Sequence, residues 1–362
     1  MKQISRPILL FAAAALVAGL LFADDGKGPA GRKEPAARPL RELAAKRGIL
    51  VGAAIDPWRI GQPDMSRLIA REFSSITAEN EMKCIILSRG PDEYNFKAAD
   101  ELVAFAEKNK MQVRGHTLVW HQATPAWITR TGWSKDQVLD WLKTYITTVV
   151  GRYKGKVYCW DVVNEVFEPN GKFTGPLKSF WYKTCGEDYI EKAFICAHEA
   201  DPQAKLYIND VSCEYANRQS NAIFDWVKSA RARGVPVDGV GFQAHLAEET
   251  KIDYGAIRAN FQRFKDLGLE LQITEMDVRI DGPPTPEKLA NQASIFKEFM
   301  RMALEFKMHA FTCWGVSDKD SWIPGAFRGY GSALLFDKEL APKPAYDAVE
   351  EALAEAPAKT KK

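Results

Sequence analysis

Two glutamates, Glu165 and Glu275, stand at or near the ends of apolar stretches, WDVVNE at 160–165 and LELQITEMD at 269–277. Burying a carboxylate beside valines or isoleucines is expensive unless a partner or a chemical task keeps it there. Paired carboxylates across a cleft are the equipment of glycosidic bond cleavage: one protonates the departing oxygen, the other attacks or stabilises the oxocarbenium-like carbon. Taken singly, each glutamate has a plainer reading as a solvated loop residue, because glutamate is mostly exposed. Their neighbours favour the chemistry. Asn164 offers an amide to a sugar hydroxyl beside the scissile bond. His245 and Asp277 can orient Glu275 and hold it ionised, as a nucleophile requires. Trp120, Trp314 and Trp322 present flat apolar faces suited to sugar rings, with a place in the core as the alternative for each. A polysaccharide groove would use several of the chain's ten tryptophans as stacking platforms.

The elements that must position these residues can be read from hydrophobic periodicity. Eight short apolar or alternating runs recur along the chain, at 49–56, 74–80, 112–120, 157–165, 205–210, 239–246, 269–277 and 308–316. Segments of helical period lie between them. Behind a Ser134 cap, Val138, Leu139, Leu142, Ile146, Val149 and Val150 recur three and four apart. NAIFDWVKSARARG stops at Gly234, and ANQASIFKEFMRMALEF is the longest such segment. Strand then helix, eight times, predicts an α/β fold: a (β/α)8 TIM barrel forming a single catalytic domain over residues 40–355. A doubly wound open sheet is the alternative. It would gather polar groups at one switch point, whereas here nearly every run ends in them: Asp56, Glu79 and Asn80, His116 and Trp120, Asn164 and Glu165, Asn209 and Asp210, Gln243 and His245, Glu275 and Asp277, Trp314. A barrel brings all eight ends around one mouth.

Lys2 and Arg6 precede an apolar stretch from Ile8 to Phe22, ending at Ala23. Residues 1–23 therefore read as a cleaved signal peptide, with a membrane anchor as the alternative, and the protein as secreted or periplasmic. Residues 24–39 read as a flexible lead-in and 356–362 as a disordered tail. Against 49 basic and 47 acidic residues, loss of Lys2 and Arg6 brings the net charge to zero, which favours neither nucleic acid nor an anionic surface as a partner. After signal removal the expectation is a monomer with no membrane association. Cys159 and Cys313 read as packed thiols. Export would permit disulfides, and Cys185 with Cys213 is the pair to check first, although a core this large needs no staple. A metal site from His245, Glu275 and Asp210 is conceivable, but the chain has no HxH and no HExxH, and His198 and His309 read as ordinary packing. No P-loop or GxGxxG follows a strand, so neither a cofactor nor a metal is expected.

The motifs TAENEMK (77–83), RGHTLVWH (114–121), WDVVNE (160–165), VGFQAHL (240–246), ITEMD (273–277) and DSWIPG (320–325) stand in one order at compatible separations. Together they resemble the endo-β-1,4-xylanases of glycoside hydrolase family 10, from about residue 40 to 355. The resemblance implies a retaining double displacement on xylan and xylo-oligosaccharides, with Glu165 as acid/base and Glu275 as nucleophile. It further implies Asn164 and His116 at the sugar next to the bond, and Glu79, Asn80 and Lys83 at the next sugar outward. Gln243, His245 and Asp277 would surround the nucleophile, and Trp120, Trp314 and Trp322 would form the aromatic walls. One motif departs. Family members commonly read His-Ser-Gln after the tryptophan, whereas this chain has His121, Gln122 and Ala123, so an amide at an outer sugar has moved or been lost. A β-1,4-glucanase of the same fold and a non-catalytic polysaccharide-binding barrel are the competing readings.

Overall fold

The computed structural model describes residues 38–175 and 177–355. The expected signal peptide and tail, and the lead-in as far as residue 37, lie outside the described residues. The strands are β1 (Leu50–Ile55), β2 (Ser75–Ala78), β3 (Gln112–Trp120), β4 (Val157–Asn164), β5 (Lys205–Asp210), β6 (Gly239–Phe242), β7 (His245–Ala247), β8 (Glu270–Asp281), β9 (Ala310–Cys313) and β10 (Tyr330–Gly331). Parallel pairing runs from β1 through β2, β3, β4, β5, β6 and β8 to β9, and β9 pairs back onto β1. The sheet is a closed parallel barrel, and each of the eight apolar runs supplies one of its strands. Closure leaves no sheet edge, and strands covered on both faces tolerate the near-continuous burial seen in β1, β4 and β5.

The sixth and seventh runs depart from simple strands. Ladder pairing in the sixth run stops after Phe242 and resumes at His245, because Ala244 takes a left-handed φ of 59° and turns the chain. The resumed segment, β7, pairs with the far end of β8, His245 opposite Asp277. β8 continues to Asp281, beyond the expected end of its run, because β7 and β10 both pair with the extension.

The helices follow their sequence signals. Lys135–Arg152 starts with a capping box in which Ser134 and Gln137 exchange side-chain and backbone bonds, and it buries Val138, Leu142, Ile146, Val149 and Val150. Arg218–Ala232 is capped by Asn217 and followed by Gly234 at φ 86°. Pro286–Glu305, capped by Thr285, is the longest helix among the described residues. None of these helices is long and apolar enough to cross a membrane.

Inside the barrel a charge sits where the strand pattern alone would put an aliphatic side chain. Arg114 of β3 and Asp161 of β4, both 1% exposed, form an ion pair. Arg114 also donates to Gln272 at 2.7 Å and lies over the Tyr207 ring at 4.9 Å. Such a pair persists buried only when its remaining donors are satisfied, as these are. All six cysteines are free and buried, so Cys185 and Cys213 are not bridged. Most tryptophans pack in the core or beside it: Trp127, Trp133, Trp141 and Trp181 form one aromatic cluster, and Trp160 and Trp226 are buried. The abundance of tryptophan is thus chiefly a packing feature. His198 and His309 are exposed, contrary to the expectation of ordinary packing, with the His309 ring against Tyr158.

Candidate active site

Glu165 follows the last residue of β4 at a φ of 53°, a conformation L-residues avoid unless their surroundings impose it. Here the Glu165 N–H donates to the Asn209 carbonyl at 3.0 Å, and the Thr174 hydroxyl donates to the Glu165 carbonyl at 2.9 Å. Its carboxyl is held by neutral donors: Trp120 Nε1 at 3.0 Å and Gln122 Nε2 at 3.4 Å on Oε2, and Gln243 Nε2 at 3.2 Å on Oε1. Burial pushes this carboxyl above its ordinary range, and the nearby Glu275 adds to the rise against the bonds from Gln243 and Trp120.

Glu275 lies in mid-β8 and is 5% exposed. Asn209 Nδ2 donates to its Oε1 at 2.7 Å, and His245 Nε2 lies 3.2 Å from its Oε2. The other ring nitrogen of His245 is 2.9 Å from Asp277 Oδ2, which also accepts from Trp322 Nε1 at 2.8 Å. Burial opposes a charge on His245, but Asp277 and Glu275 overcome it and push the imidazole up to about 10. It is a cation at neutral pH. Burial likewise pushes Glu275 up, yet the bond to His245, the nearby His116, the charge of His245 and the Asn209 amide prevail, and its carboxyl lies below the usual range.

All the site residues that the resemblance implies, except Asp277, line one pocket: Glu79, Asn80, Lys83, His116, Trp120, Asn164, Glu165, Gln243, His245, Glu275, Trp314 and Trp322. Asp56 and Asp210, also expected at the mouth, are not among its lining residues. Asp277 lies behind it, against His245 and Trp322. Asn164 is 2% exposed and its Oδ1 accepts from both Asn209 and Gln243, so amides link the two carboxylates. His116 rests edge-on to Trp314 and holds Asp161 Oδ2 at 3.0 Å through Nδ1. Lys83 bonds Asn80 at 2.9 Å and lies 5.1 Å over the Trp120 ring; burial lowers its pKa against the pull of Glu275 and Glu79. Among the described residues no cluster of three His, Cys, Asp or Glu is arranged to hold a metal. Asp210, considered as a ligand, is buried and accepts from Gln219 Nε2 at 2.8 Å.

Sequence reasoning missed several supports. Asn209 was visible as a polar strand end but carried no assigned role. Asp161 and Arg59 were overlooked. Arg59, 5% exposed, pairs with Asp56 and Glu79 and donates to the Asp320 carbonyl at 2.6 Å, tying the segment after β1 to Glu79. Opposite charges within adjacent apolar runs, Arg114 and Asp161, were the available signal, since neither survives burial alone. Gly241 is required here: a Cβ would strike the Asn209 amide oxygen and come within 2.8 Å of the Thr274 methyl. In the departing motif, Gln122 is exposed beside Glu165, while Ala123 is buried.

A family model described as glycosyl hydrolase family 10 matches residues 39–352. Endo-1,4-beta-xylanase B of Thermotoga neapolitana is 41% identical over 322 residues, which is 88% of this chain and 92% of that protein. The solved structure of native xylanase 10B from Thermotoga maritima superposes with a TM-score of 0.83 at 44% identity, over 87% of this chain and 98% of that one. Xylanase 10B from Thermotoga petrophila RKU-1, solved with xylobiose, gives a TM-score of 0.84 at 43% identity, over 90% and 99%. With this match along nearly all of its barrel, the chain belongs to glycosyl hydrolase family 10.

Proposed function

We propose that this protein is an endo-1,4-β-xylanase that cleaves internal bonds of xylan with retention of configuration, using Glu165 as acid/base and Glu275 as nucleophile. The observation that carries the assignment is the opposed setting of two carboxylates in one pocket, one pushed toward its neutral form and the other held ionised. The xylanases among its relatives, one of them solved with xylobiose, support the substrate class.

Glu275, ionised beside the His245 cation, attacks the anomeric carbon as Glu165 gives its proton to the departing sugar oxygen. The product is a covalent glycosyl-enzyme. Glu165, now a carboxylate, takes a proton from water, and the water oxygen displaces Glu275 to release a β-configured sugar. Direct attack requires the carboxylates to be about 5 to 5.5 Å apart. In this reading Asn164 and His116 bind the sugar next to the bond, and Glu79, Asn80 and Lys83 the next one outward. Trp120, Trp314 and Trp322 wall the cleft.

Hydrolysis of soluble β-1,4-xylan beside β-1,4-glucan, with the anomer of fresh product followed by NMR and a chelator present, tests the assignment. The expected result is β-configured product from xylan, little glucan cleavage and no effect of chelator. An α-configured product or inhibition by chelator overturns the mechanism; preferred cleavage of glucan overturns the substrate. We further propose export through residues 1–23, tested by N-terminal sequencing of protein from the producing cells. A chain starting at Asp24 is expected, and an intact Met1 refutes it.

A further inference from the structure

Gln243 touches Glu165 and His245 touches Glu275, and between them stands Ala244, fully buried with its φ of 59°. Alanine holds a left-handed conformation only where its surroundings impose it. Two of the bonds that fix this turn are backbone bonds: Gln243 N–H to the Asp210 carbonyl at 3.2 Å, and Glu275 N–H to the Gln243 carbonyl at 3.1 Å. The Ala244 N–H instead donates to a side chain, Glu214 Oε1, at 2.8 Å. Glu214 is 2% exposed, lies in the loop after β5 and is not among the pocket-lining residues. Asn260, on the helix Tyr254–Asp266, anchors that loop by donating to the carbonyls of Cys213 and Glu214 at 2.9 Å each.

We propose that Glu214 is a positioning residue for the reaction: by accepting the buried Ala244 N–H, it fixes the turn that sets Gln243 against Glu165 and His245 against Glu275. This rests on the roles assigned above to the two carboxylates. Without an acceptor the N–H would be buried and unpaired, and the turn would move to satisfy it. One carboxyl outside the pocket thus governs the partners of both catalytic groups. Burial pushes Glu214 above its ordinary range, against the Ala244 bond and the His245 charge. The task requires only an acceptor oxygen, so a neutral amide at this position can perform it.

Steady-state kinetics on xylan across pH, for wild type and for Glu214→Gln, Glu214→Asp and Glu214→Ala, test the proposal, with melting temperatures recorded for each. The charged groups facing His245 are Asp277 and Glu275 on β8 and Glu214 itself. Loosening His245 weakens what lowers Glu275, and loosening Gln243 weakens what lowers Glu165. Both limbs of the kcat/KM profile should therefore move to higher pH. Glu214→Ala and the shortened Glu214→Asp are expected to lose roughly ten- to a hundredfold in kcat/KM, with both limbs displaced, while Glu214→Gln stays within about threefold of wild type. Folded Ala or Asp variants with unchanged limbs overturn the proposal, as does a Gln variant as damaged as they are. If Glu214→Ala fails to fold, the contrast between Gln and Asp decides. Wild type unable to cleave xylan would instead refute the underlying assignment, so the two failures are distinct.

Discussion

Glu165 and Glu275 share a pocket and a side-chain type, yet they are held differently. Around Glu165 every hydrogen-bond donor is neutral: an indole and two amides. Beside Glu275 stands an imidazolium kept charged by Asp277. Burial raises both carboxyls, and only the second has a cation bonded to it strongly enough to reverse the sign. The two halves of the site differ in what lies behind the carboxylates, and in the proposed mechanism that difference sets which one gives a proton and which one attacks.

The largest break in this comparison is Glu275→Ala, which removes the proposed nucleophile. Xylan turnover should fall by about 10⁵-fold or more while xylo-oligosaccharide binding, read by calorimetry, persists; near-normal turnover would end the assignment. Glu165→Ala should cost roughly 10²- to 10⁴-fold on xylan, yet far less on an aryl xyloside whose leaving group needs no proton. Equal losses on the two substrates would remove Glu165 from the acid role.

His245→Gln sharpens the contrast by making the donors of Glu275 as neutral as those of Glu165. As the proposed nucleophile Glu275 must be ionised, and without the cation its carboxyl rises, so the acidic limb of kcat/KM should move to higher pH, by about one pH unit or more for an opposite charge lost at this range. An unmoved limb would show that the cation does not set the Glu275 ionisation. Gln122→Ala is the mildest change. It deletes a long, exposed bond to Glu165, so kcat/KM should fall only about two- to threefold, with the alkaline limb slightly raised. A selective change in xylan against glucan cleavage would instead place this amide among the substrate contacts.

Much of this architecture was legible in advance, for local reasons. A strand buried on both faces must be apolar along its length, so the eight runs marked the barrel strands; the start of Lys135–Arg152 was equally plain, because Ser134 caps it through a bond three residues away. The caps Asn217 and Thr285 were not read, and their helices begin before the apolar periodicity that marked them. The interruption at Ala244 was not legible, since alanine carries no local signal for a left-handed φ. Gln122 shows the same limit: the sequence revealed that an amide had moved or been lost, but not that Gln122 would come to rest beside Glu165.

The sequence by itself determined the strand order and the set of polar groups delivered to the barrel mouth, because periodicity and strand ends are properties of neighbouring residues. Only the tertiary structure decided which groups would support which. Arg114 and Gln272 are 158 positions apart, Asn209 and Glu275 are 66 apart, and Glu214 and Ala244 are 30 apart. Closure of the barrel places these partners in a shared, water-poor interior, where each bond decides whether a buried polar group is stable and, at Glu165 and Glu275, which way its proton equilibrium is displaced.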